Sequence, residues 1–172
     1  MKALTFEESN DWLASVGVKH DPFREKAKGA QYYLTGALTD VSRSVSFAFV
    51  RNLLVYGLMP SGDVLLRISD WSLYQKDEMS VIDSFRSSFG ECRSLNEANG
   101  HLFASAEMDH CVGLFNLTFA YGWSSYLYIF NPSLTFFNWE GEMFEFWSEQ
   151  KDPIILVQKY CQKHNLPKRK NA

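Results

Sequence analysis

The stretch from Ser105 to Trp147, SAEMDHCVGLFNLTFAYGWSSYLYIFNPSLTFFNWEGEMFEFW, decides the fold class. From Phe115 onward it holds thirteen aromatic rings, close to half of the chain's 14 phenylalanines, 8 tyrosines and 5 tryptophans. Each large ring removes roughly 150–250 Å² from water when it packs, so the hydrophobic core is expected here. Two patterns compete in the first third of the stretch. With Ser105 as N-cap and Glu107 and Asp109 in the first turn, Cys111, Leu114, Phe115, Thr118 and Tyr121 share one helical face, and Gly122 stops the helix. Phe115, Leu117, Phe119 and Tyr121 also alternate as a strand would; the helix is the preferred reading.

The remainder reads as β. Tyr126, Tyr128 and Phe130 alternate with Leu127 and Ile129, so both faces are apolar, as in a strand covered on both sides. Asn131-Pro132-Ser133 is a turn signal, Leu134–Trp139 a second strand, Glu140-Gly141 a tight turn and Glu142–Trp147 a third strand. The expectation is a C-terminal three-stranded antiparallel meander packed with four to five helices, an α+β class in a single domain over residues 1–167.

Outward from this stretch, Thr5-Phe6-Glu7-Glu8 is a capping box, opening a helix that buries Trp12, Leu13 and Val16 and stops at Gly17. His20-Asp21-Pro22 marks a loop. Gln31–Leu38 has β character. Val41, Val45, Phe49, Leu53 and Tyr56 follow helical spacing behind an Asp40 cap, although Val45, Phe47 and Phe49 also alternate; a helix ending at Gly57 is preferred. Val64–Ile68 reads as a short strand. Asp77-Glu78 opens a helix that ends at Gly90, and Glu91–Gly100 reads as a polar connector. Asp152-Pro153 starts the last helix, with the acid at the cap and proline at the first helical position; Leu166-Pro167 ends it, and residues 168–172 form a basic tail.

Formal net charge is −3, but Lys163, Lys168, Arg169 and Lys170 crowd the C-terminus. The remaining body carries 13 basic against 20 acidic side chains, and such a body repels a phosphate backbone, so nucleic-acid binding by the folded part is not expected. Cys92, Cys111 and Cys161 are odd in number and lack a CxxC pair, which reads as buried reduced thiols in a cytoplasmic protein. The first eight residues reach acids before any apolar run forms, unlike a signal peptide, and no apolar run of about 18 residues predicts a membrane span.

No P-loop, GxGxxG, HExxH, GxSxG or EF-hand pattern is present, so no cofactor is expected. Gly122-Trp123-Ser124-Ser125-Tyr126 lacks the final glycine of a nucleophile elbow and reads as a helix-to-strand loop. Glu107 and His110 form a Glu-x-x-His step that puts a carboxylate and an imidazole on one helical face; with His101 this is the metal-binding alternative, although di-iron bundles need two such steps. Trp139, Met143, Glu145 and Trp147 on the meander, with Trp71 and Tyr74 just past a strand end, are the partner-binding candidates, because tryptophan and tyrosine dominate interface hot spots. The leading functional reading is a non-enzymatic, immunity- or inhibitor-type module that meets a basic protein partner through an acidic, aromatic-bearing surface. A small metal-dependent enzyme using Glu107 and His110 is the alternative. A homo-oligomer joined at the meander edge is the third reading.

Overall fold

The computed structural model describes residues 1–18, 32–71 and 76–167. The chain opens with a three-residue strand β1 (Lys2–Leu4) and helix α1 (Phe6–Val16). The capping box is formed: the Glu8 N–H donates to Thr5 Oγ1 at 3.1 Å and the Thr5 N–H to Glu8 Oε2 at 2.8 Å. Gly17 ends the helix at φ 73°, a region where a side chain would be strained. After β2 (Tyr32–Ala37) comes α2 (Arg43–Arg51), which runs on as a π-helical segment, Asn52–Leu58. Ser42, not Asp40, takes the N-cap position. Gly57 does not stop this helix, because its role is a close approach: a Cβ there would lie 2.8 Å from the Tyr160 ring.

β3 (Val64–Asp70) is followed by α3 (Lys76–Ser87) and β4 (Gly100–Phe103). One 3₁₀ turn over Ser105–Glu107 leads into α4 (Met108–Tyr121), closed by Gly122 at φ 68°. Ala104 holds the N-cap place expected of Ser105, because the Glu107 carboxylate reaches back to accept the Ala104 N–H at 3.0 Å. Three strands, β5 (Ser124–Ile129), β6 (Leu134–Trp139) and β7 (Met143–Ser148), precede α5 (Lys151–Lys163). Gln150 takes the N-cap position of α5, so Asp152 and Pro153 are the second and third residues of its first turn rather than the cap and the first helical residue.

All seven strands form one antiparallel sheet in the order β1-β4-β3-β5-β6-β7-β2. The expected three-stranded meander is therefore corrected: β5, β6 and β7 are interior strands, flanked by β3 on one side and β2 on the other. No meander edge is free for a second copy. The molecule is a mixed α+β single domain with five α-helices among the described residues.

The two sheet faces are covered unequally. Leu66 and Ile68 on β3, Leu127 on β5, Phe136 on β6 and Phe144 and Phe146 on β7 join Phe49, Leu53, Phe115, Ile154 and Val157 from α2, its π-helical extension, α4 and α5 in the main core. Phe136 is its hub, with ring centroids 4.1 Å from Phe146 and 4.9 Å from Phe115. Edge-to-face and tilted contacts of this kind favour aromatic pairs beyond their buried area. On the opposite face, Leu13 of α1 packs on Leu4, Leu65 and Tyr128 as a smaller cluster. No described helix is long and apolar enough to cross a membrane.

Candidate partner-binding cleft

The turn between β6 and β7 is built by local chemistry. Glu140 and Gly141 both have positive φ, 51° and 71°, and the Glu142 N–H donates to the Trp139 carbonyl at 2.9 Å, a tight turn inside a three-residue loop, since the register pairs Trp139 with Met143. Glycine suits the second position, where a Cβ would lie 2.7 Å from the Phe119 carbonyl. Glutamate at the first costs about 1 kcal/mol relative to glycine, since its Cβ crowds the backbone in that region.

A buried polar network locks this hairpin under the end of α4. Asn138 is fully buried; its amide donates to the Trp123 carbonyl at 2.8 Å and to Thr118 Oγ1 at 3.3 Å, while its Oδ1 accepts the Gly141 N–H at 3.1 Å. The Thr118 and Ser125 hydroxyls lie 2.8 Å apart, and Thr118 also donates to the Phe115 carbonyl at 2.7 Å. Ser124, at the serine position of the segment that loosely resembles a nucleophile elbow, is buried, and its neighbour Ser125 is taken up by this hydrogen-bond network.

Against this fixed hairpin opens a cleft of about 410 Å³. The hairpin contributes Glu140, Gly141 and Glu142, α4 contributes Phe119, Ala120 and Tyr121, the start of α2 contributes Arg43 and Phe47, and α3 contributes Glu78. Three carboxylates therefore share one concavity with the C-terminal end of a 14-residue helix. That end carries partial negative charge from carbonyls with no intrahelical partner, so it reinforces the acids instead of offsetting them. The side chains of Glu140 and Glu142 form no ion pair among the described residues. Phe47, Phe119 and Tyr121 on the walls, a rigid rim and three acids against the one Arg43 suit a guanidinium or ammonium on an apolar stem.

The partner-binding candidates fall in two groups. Register pairs Trp139 with Met143, Phe137 with Glu145 and Thr135 with Trp147, so Trp139, Met143, Glu145 and Trp147 share the outer sheet face. Trp139 is 40% exposed and directly precedes Glu140, whereas Trp147 is 4% exposed and packs 4.6 Å from the Tyr33 ring. Glu145 accepts the Tyr33 hydroxyl at 2.9 Å. Trp71 is half-buried against the main core, and Tyr74 lies outside the described residues, as do His20-Asp21-Pro22 and the 168–172 tail.

The metal candidates are not brought together. Glu107 accepts from the Met1 ammonium and from Ala104, contacts that hold its carboxyl below the usual range. His110 packs edge-on against Phe89 with centroids 5.1 Å apart. His101 sits on β4 between Ala3 and Leu66, fully buried, and burial followed by the Arg86 charge pushes its pKa down to about 3. Among the described residues no three His, Cys, Asp or Glu side chains are grouped to hold a metal ion. Cys92, Cys111 and Cys161 form no disulfide; Cys111 and Cys161 are buried, but Cys92, expected inside, is exposed.

Two features escaped the sequence reading. Arg86, 1% exposed, donates to the Ala98 carbonyl at 2.8 Å and so ties α3 to the approach of β4; nothing in its spacing marks it as internal. The acidic cleft joins Glu78 to a hairpin some sixty residues later, and only the repeated acids of Glu140-Gly141-Glu142 hinted at it. No family model, curated protein or solved structure matches the chain.

Proposed function

We propose that this protein is a non-enzymatic binding module that receives a basic segment of a protein partner in the cleft beneath the β6–β7 hairpin, and that it acts in the cytoplasm. The observation that carries the reading is the convergence of Glu78, Glu140 and Glu142 on the negative end of α4 within one aromatic-walled cleft. Trp139, exposed at the start of the hairpin, lies on the outer sheet face and does not line the cleft. Electrostatic attraction speeds encounter with a basic partner, and a side chain seated in the cleft slows release. Three cysteines with no disulfide between them are in keeping with a reducing compartment.

The test is a fluorescence-anisotropy titration with a labelled peptide of alternating glycine and arginine, beside its glycine–glutamate counterpart. The arginine peptide is expected to bind with an affinity that falls as salt rises, and the glutamate peptide not to bind. Each exposed charge pair is worth about 0.2–1 kcal/mol, so a Glu140→Gln/Glu142→Gln variant loses roughly 2- to 30-fold. Equal binding by the variant would remove the cleft from the account.

A further inference from the structure

A second surface lies on α5, away from the acidic cleft. Its inner side is fixed by buried Ile154, Val157 and Cys161. Its outer side presents Asp152, Ile155, Leu156 and Lys159, positions i, i+3, i+4 and i+7, which fall on one stripe of a helix. Ile155 is 37% exposed, Asp152 and Lys159 are exposed, and neither charge forms an ion pair among the described residues. The same four side chains line a groove of about 410 Å³ completed by Leu58 and Pro132.

We infer that this stripe takes a second copy of the chain, with the two α5 helices antiparallel. The order of the residues, acid then apolar pair then base, is self-complementary in only that orientation. A two-fold axis between Ile155 and Leu156 sets Asp152 of each copy opposite Lys159 of the other, with the apolar pairs meeting between them. Seven residues at 1.5 Å each separate the two charges by roughly 10 Å, so both cross pairs form at once. A parallel arrangement would set like charges together. Exposed Met59 and Phe130, near Leu58 and Pro132 in the chain, add apolar surface. Pro132 lies in the β5–β6 turn, at the opposite strand ends from the β6–β7 hairpin, so the pair of copies keeps both acidic clefts open.

Sedimentation equilibrium of the full chain, across roughly 10 µM to 1 mM, tests this, because a contact built on one helix pair is at the small end of interface sizes. The mass is expected to rise with concentration from that of one 19.8 kDa chain toward twice that value. Asp152→Lys and Lys159→Asp each weaken association at least tenfold, the two combined restore it to within about threefold, and Ile155→Asn weakens it without touching a charge. Thermal melts confirm that each variant is folded. A single-chain mass at every concentration overturns the inference; so does a dimer indifferent to the single reversals, or one that the double exchange fails to restore.

Discussion

Replacing Asn138 by alanine should be among the more damaging single changes in the molecule, although it touches no charge and leaves no large cavity. The side chain is fully buried and makes two bonds of good length, to the Trp123 carbonyl at 2.8 Å and from the Gly141 N–H at 3.1 Å. Its contacts to Thr118 and Ser125, at 3.3 and 3.4 Å, are weaker, and those hydroxyls keep each other as partners. Leaving a buried polar group unmet costs about 1–3 kcal/mol. The Trp123 carbonyl incurs most of that, whereas the half-buried Gly141 N–H regains some solvation, giving a loss of about 2–4 kcal/mol. For a chain of this size that is a fall in Tm of roughly 5–12 °C. Urea unfolding at pH 7 measures the first figure and calorimetry the second. Hydrogen exchange at the Gly141 amide should accelerate, since its acceptor is gone. A loss below about 1 kcal/mol would refute the reasoning, because it would mean that the network does not hold the hairpin.

Three further outcomes follow from the same structure. Gly36→Ala should cost about 1–3 kcal/mol in urea unfolding, because the added Cβ would lie 2.1 Å from the Phe144 ring, which is locked in the aromatic core. Thr5→Ala should cost about 1 kcal/mol by the same method, through loss of the capping bond to the Glu8 N–H. His101 takes up a proton near its ordinary 6.5 when unfolded but only near 3 when folded, so between these values the unfolded state binds more protons and stability falls on acidification. From pH 6.5 to 4.5 the parent should lose about 2 kcal/mol more than a His101→Leu variant, measured in urea at each pH; equal slopes would show that the imidazole protonates freely in the folded state.

The strands that could be read from sequence were those with long apolar alternation. Tyr126–Ile129 and Leu134–Trp139 declare themselves because each has an apolar residue at nearly every position. β1 and β4 do not: three and four residues are too few to establish a period, and the inward place on β4 belongs to a polar His101. Missing those two strands, and the pairing of β2 with β7, turned a seven-stranded sheet into an expected meander. Helix ends were legible where side-chain chemistry fixes them, at Thr5 and Gly122, and illegible at Ser105, where a glutamate three residues inside the turn does the capping. Strand period groups Met143, Glu145 and Trp147, but Trp139 joins their side only because the register pairs it with Met143, not with Glu142 as a two-residue turn would, and neither pattern says which of them stays exposed. The cleft depends on Glu78 meeting Glu140 and Glu142, a contact of high sequence separation that no local pattern encodes.

The most direct test of the cleft is a ¹⁵N–¹H correlation spectrum recorded as the glycine–arginine peptide is added. The account predicts shifts that concentrate on Glu78, on Ala120 to Gly122 and on Glu140 to Glu142, that fade as salt rises, and that vanish in the Glu140→Gln/Glu142→Gln variant. Shifts scattered over the surface or centred elsewhere, or a spectrum that does not change, would contradict it.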